Sequence, residues 1–147
     1  MGNDLENKRL FGKICYLQRQ LYREINRDLA EQNMTPVKLQ TLIYLIKSER
    51  VKNKVCQRDI ERELNLRPSS VSSLLKSLER DGYIIRTFQD GDARTKYLEL
   101  TEKGRKLCKD NKLFMEKCDE TVQSALTDKE QDELQKLLEK IIAKISE

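Results

Sequence analysis

The stretch RPSSVSSLLKSLERDGYII, Arg67–Ile85, decides the fold. Pro68 suits the first turn of a helix, because the N–H it lacks is one the helix would leave unpaired. Val71, Leu74, Leu75 and Leu78 then recur at three- and four-residue steps, an apolar stripe of helical period. Gly82 stands where a left-handed glycine ends a helix. The pattern then changes. Tyr83-Ile84-Ile85-Arg86-Thr87-Phe88 is β-branched and aromatic, Gln89–Ala93 is turn chemistry, and Lys96–Leu100 alternates polar with apolar. The spacing predicts a β-hairpin directly behind the helix.

Working outward toward the N-terminus, Gln57 to Leu64 reads as a shorter helix with Ile60 and Leu64 inward, joined to the next by Asn65-Leu66-Arg67. Thr35-Pro36 reads as an N-cap followed by a first-turn proline, opening a helix made richly apolar by Val37, Leu39, Leu42, Ile43, Leu45 and Ile46. Before a break at Asn33-Met34, the residues Leu10, Ile14, Leu17, Leu21, Ile25 and Leu29 form one stripe on a long first helix. Toward the C-terminus, Thr101 opens a helix to about Val122. Thr127-Asp128-Lys129-Glu130 is a capping box with Leu126 as its staple residue. The last helix carries Leu134, Leu137, Leu138, Ile141, Ile142 and Ile145, a stripe wide enough to need a partner surface, and a second subunit is the obvious supplier.

Two short helices joined by a tight turn and followed by a hairpin form a winged helix-turn-helix. The fold class expected is therefore mainly α with a small β-hairpin wing. Residues 35–100 are read as the winged helix-turn-helix domain, and residues 1–34 and 101–147 as a helical dimerisation region.

Composition narrows the function. The chain has 147 residues, no histidine, no tryptophan, five glycines and two prolines. Absence of histidine removes Ser-His-Asp and Cys-His nucleophile pairs and the commonest zinc ligand. No Gly-rich phosphate loop or convergent carboxylate pair is visible, so an enzyme is not expected, nor a metal or cofactor. Aromatic residues at 5% argue against a stacking platform for single strands. No apolar run reaches the roughly 18 residues of a membrane helix. Met1-Gly2-Asn3-Asp4 shows no secretory pattern, so a cytoplasmic location without membrane contact is expected. Charge is uneven: residues 52–106 hold thirteen cations against nine anions, and residues 107–147 seven against ten. A basic middle invites a polyanionic partner.

That partner is expected at the helix opened by Pro68. Its inward face is apolar, and its other faces hold Ser69, Ser70, Ser72, Ser73, Lys76, Ser77 and Arg80. Small hydroxyls let a helix approach double-stranded DNA and bond to phosphates or base edges. Arg94 and Lys96 stand on the returning strand of the hairpin, and an arginine on a narrow loop suits an A·T-rich minor groove. Asp92, two positions before Arg94, is placed to hold its guanidinium by a bidentate pair.

These segments resemble the MarR family of transcription regulators. Cys56–Leu66 looks like the first helix of its reading head, and Arg67–Ile84 like its recognition helix and exit. Asp92-Ala93-Arg94 matches the wing motif, and Leu100-Thr101-Glu102-Lys103-Gly104 the signature after the wing. The resemblance implies an obligate homodimer, its first helix and last two helices intertwined. It implies binding to a pseudo-palindromic operator, usually to repress, with release by a small aromatic ligand or by thiol oxidation. It carries DNA contact onto Ser69, Ser70, Ser72, Ser73, Lys76, Asp92 and Arg94. Dimer contact is expected from Ile14, Leu17, Leu21, Leu134, Leu138, Ile141, Ile142 and Ile145.

Where family members often cap the first reading-head helix with Ser or Thr, this chain has Cys56. Cys15, with Tyr16 and Tyr22 nearby, lies about one turn closer to the Met34-Thr35 junction than the family's peroxide sensors place their cysteine. The function expected is a ligand-released, sequence-specific repressor. The alternatives are thiol sensing through Cys15 or Cys56 on the same fold, and a winged helix used for protein contact, which would need an apolar recognition face.

Overall fold

The computed structural model describes residues 9–146, so the Met1–Asp4 reading lies outside the described residues. The elements follow in the order α1 (Leu10–Glu31), α2 (Pro36–Arg50), β1 (Val55–Cys56), α3 (Gln57–Leu64), α4 (Pro68–Arg80), β2 (Ile84–Gln89), β3 (Asp92–Leu100), α5 (Glu102–Ala125) and α6 (Asp128–Ile145). No helix among the described residues is long and apolar enough to cross a membrane.

Four helices end by one device. Asn33, Lys52, Asn65 and Gly82 all have positive φ. In each case the next N–H reaches back five residues: Met34 to the Leu29 carbonyl at 2.8 Å, Asn53 to Ser48 at 2.9 Å, Leu66 to Glu61 at 3.1 Å and Tyr83 to Leu78 at 2.9 Å. One left-handed residue thus reverses the chain and satisfies a carbonyl the helix leaves open. Glycine does this without a Cβ penalty at Gly82, and asparagine tolerates it at two others. Lys52 does it against its own preference; the polar run Lys47–Arg50, which reads as the way out of this helix, is its last turn, and the stop comes just beyond it.

Helix starts are equally local. Thr35 accepts from the Lys38 N–H at 3.3 Å, and Pro36 fills the first turn. Lys38 is buried and donates through Nζ to the Asn33 carbonyl at 2.9 Å, tying the helix start to the preceding turn. Glu130 accepts from the Thr127 N–H at 2.8 Å, and Glu130 N–H donates to the Thr127 hydroxyl at 3.4 Å, forming the capping box.

The hairpin β2–β3 gains a third strand, giving the order β1-β3-β2, all antiparallel. β1 is only Val55–Cys56, paired with Leu98 and Tyr97. Two residues are too few for a periodic signal, which is why the sequence showed only a hairpin. The turn is also narrower than the five residues read as turn chemistry: Gln89 pairs with Asp92, leaving Asp90 and Gly91 at the tip, with Gly91 at φ 86°. The ladder is irregular between Phe88 and Gln89.

The core joins α2, α3, α4 and the sheet through Leu42, Ile60, Val71, Leu75, Leu78, Tyr83 and Ile84, each with at most 2% of its surface exposed. Burying seven large apolar side chains at about 1.5–3 kcal/mol each is ample to fix α4 with one face inward. The described chain divides into two compact units, one ending at Asn111 and the other beginning at Lys112. α6 lies in the second unit, and no residue of it is buried.

Candidate nucleic-acid interface

With Val71, Leu75 and Leu78 held in the core, helical geometry leaves the remaining faces of α4 to solvent. Ser69, Ser70, Ser73 and Lys76 are exposed, and Ser72 is half-buried. No other described residue engages the hydroxyls of Ser69, Ser70, Ser72 or Ser73. Ser77 is already occupied, accepting from Arg80 Nη2 at 3.3 Å. The start of α4 has Arg67 in the cap position without a side-chain cap bond, so its first N–H groups are not satisfied by that residue.

The hairpin builds the second part. Asp92 does not hold the Arg94 guanidinium, contrary to the expected pair. Its Oδ1 accepts from the backbone N–H of Arg94 at 3.0 Å and of Thr95 at 3.2 Å. A short side chain beside a tight turn reaches its own following amides more easily than a long neighbour's tip. Those bonds hold the Asp92 carboxyl below the ordinary carboxylate range, the Arg94 N–H contributing most. Asp92 thus shapes the wing, and the Arg94 side chain stays exposed. Lys96 is exposed, its ammonium 5.6 Å from the centre of the Phe88 ring.

Between α3 and the hairpin lies a recess of about 430 Å³ lined by Cys56, Gln57, Arg58, Arg86, Arg94, Thr95, Lys96 and Leu98. The sequence reading missed Gln57, Arg58 and Arg86. Counting by two from Ile84 puts Arg86 and Phe88 on one face, and the register sets them opposite Leu98 and Lys96. Arg86 Nε is 3.2 Å from Glu79 Oε2. That nitrogen is buried and lacks an aligned hydrogen bond, so the contact is an ion pair without a directed bond.

Cys56 occupies the cap position of α3, but the cap bonds come from Asp59. Its Oδ2 accepts from the Cys56 N–H at 2.9 Å and from the thiol at 3.2 Å, while Oδ1 meets Arg62 at 3.0 Å. The Cys56 N–H is the main reason the Asp59 carboxyl lies below its ordinary range. Cys15 is half-buried in α1. Burial pushes the Cys108 thiol up to about 11, and also raises that of Cys118. All four cysteines are free.

Away from these elements, α1 and α2 enclose an open groove of about 760 Å³, whose lining includes Tyr22, Asn26, Leu29, Met34, Pro36 and Ile43. The expected dimer stripe is exposed on both helices that carry it. On α1, Ile14 and Leu17 are exposed and Leu21 is half-buried. On α6, Leu134, Leu138, Ile141, Ile142 and Ile145 are all exposed.

Comparison with known proteins agrees with this architecture. The sequence profile of the MarR family matches residues 32–95. The transcriptional repressor MprA of Escherichia coli strain K12 is 24% identical over 139 residues, covering 94% of this chain and 78% of MprA. The HTH-type transcriptional regulator BilQ of Clostridioides difficile strain CD3 is 29% identical over 126 residues, covering 85% of this chain and 82% of BilQ. Among solved structures, the S. aureus MepR–DNA complex superposes with a TM-score of 0.75 at 27% identity, covering 92% of this chain and 97% of that one.

Proposed function

Because this chain is a winged-helix protein of the MarR family, we propose that it is a double-stranded DNA-binding transcription regulator that works as a homodimer and represses. The observation that carries this reading is the division of α4. Its apolar face is locked in the core, and its serine and lysine face stands free beside a wing whose returning strand carries an exposed Arg94. A winged helix built for protein contact would present an apolar α4 instead. A solved relative, MepR, is held in a complex with DNA, which supports the same use of the fold here.

In this account α4 enters the major groove. Ser69, Ser70, Ser72, Ser73 and Lys76 meet base edges and phosphates there. Arg94 enters the neighbouring minor groove, with Asp92 fixing the turn that aims it and Lys96 adding charge. Residues 35–100 form the reading head, and residues 1–34 with 101–147 form the dimerisation region. The exposed stripes on α1 and α6 support a second copy as their cover, since monomers rarely leave such long apolar faces in water.

A small aromatic ligand in the groove between α1 and α2 would link occupancy to the placement of the reading head. The groove's apolar lining and its Tyr22 and Asn26 support that ligand class. Selection of bound duplexes from a random pool, followed by a screen of aromatic compounds for release, tests both parts. An inverted repeat released by such a compound is expected. A pool that yields no common sequence would overturn the proposal.

A further inference from the structure

The recess beside the wing has a composition that base reading does not explain. Four cations line it, Arg58 from α3, Arg86 from β2, and Arg94 and Lys96 from β3, and no carboxylate does. Asp59, next to Arg58, is turned to Cys56 and Arg62. Glu79 approaches Arg86 from α4, pinning β2 to the helix that reads DNA.

The position of the recess gives it a partner. Gln57 Nε2 donates to the Pro68 carbonyl at 3.4 Å, so the start of α3 stands beside the start of α4. The recess is therefore lined on one side by the start of α3, which touches the start of the helix assigned to the major groove, and on the other by the wing assigned to the minor groove. In duplex DNA those two grooves are separated by one sugar–phosphate strand. A protein that fills both must straddle that strand, and the recess is what it straddles it with.

We propose that this recess seats a phosphate of the strand between the two grooves, with Arg58 and Arg86 as positioning contacts alongside Arg94 and Lys96. The proposal rests on the DNA-binding reading above. Arg86 is suited to the task because its side chain is only 19% exposed beside Glu79, so little rotamer freedom is lost on contact. Such contacts fix register and carry no base information.

The test measures affinity against salt for wild type, Arg58→Gln and Arg86→Gln on a selected duplex and a random one. Each phosphate neutralised contributes about 0.9 to the slope of log affinity against log salt, so each variant should lower the slope measurably, by at most roughly 1.8 per two-fold dimer. The loss should be the same on both duplexes, unlike a base-reading change. A selected duplex with one neutral methylphosphonate per half-site, placed between the grooves, should weaken wild type at least fivefold and Arg58→Gln less than twofold. Arg58 is exposed on α3, so that variant decides the matter if Arg86→Gln fails to fold. Wild-type binding that stays steep in salt while Arg58→Gln keeps the full slope and the full methylphosphonate loss would overturn the phosphate seat alone. Wild type that binds no duplex would overturn the DNA-binding reading and the seat with it.

Discussion

The Thr101 hydroxyl donates to the Gly82 carbonyl at 2.6 Å, across nineteen positions of chain. The same oxygen accepts from the Gly104 N–H at 3.2 Å, capping α5. One side chain thus ties the exit of α4 to the start of α5. Lys103 adds to the joint, donating to the Asp81 carbonyl at 2.7 Å with its ammonium 4.4 Å from the centre of the Tyr83 ring. Gly104 completes it, because a Cβ there would collide with the Tyr83 carbonyl.

This joint gives a stability prediction. Thr101→Val keeps the shape and removes both bonds, and should cost about 1–2 kcal/mol. Gly104→Ala forces a methyl onto backbone and should cost roughly 1–3 kcal/mol. Urea midpoints of the two variants check this. Midpoints equal to wild type would contradict the role given to both residues.

The assembly prediction concerns α6, where Ile142 is 61% and Ile145 78% exposed. Sedimentation at micromolar concentration should give a dimer. Leu138→Asp with Ile142→Asp should dissociate or unfold it, since each buries an unpaired charge if the partner stays in place. A wild-type protein that is a folded monomer and binds its operator in that state would contradict the dimer.

The thiols divide by environment. Cys108 is buried and its pKa is pushed up to about 11, so iodoacetamide near the ordinary thiol pKa of about 8.5 should label it last. The ligand-release account expects DNA affinity to stay within twofold after mild organic peroxide. Loss of affinity that reductant restores, and that Cys15→Ser or Cys56→Ser abolishes, would favour thiol sensing instead.

Much of this was legible in sequence because the deciding signals are local. The period of Val71, Leu74, Leu75 and Leu78, the Thr35-Pro36 cap and the Thr127–Glu130 box depend on neighbours within a turn. What escaped depends on distant pairing. Val55–Cys56 becomes a strand only because β3 passes it, and Arg58 reaches Arg86 and Arg94 only once α3 lies against the hairpin. Asp92 escaped for a different reason: its carboxylate was matched to a side chain when the backbone amides were nearer. The Leu100–Gly104 signature was readable as a resemblance, and its physical cause appears only in the joint between Thr101, Gly82 and Tyr83.

In the proposed reading, α4 reads sequence while Arg94 grips the flanking minor groove. The direct measurement compares the affinity of wild type, Ser72→Leu and Arg94→Ala for a selected inverted repeat and for a random duplex, at one salt concentration. The half-sites should be spaced by about 10–10.5 bp, one helical turn. Wild type should prefer the selected duplex by at least about 10³-fold. Ser72→Leu should erase most of that preference, and Arg94→Ala should weaken specific binding by on the order of 1–3 kcal/mol. Equal wild-type affinity for both duplexes, or full preference retained by both variants, would contradict the claim.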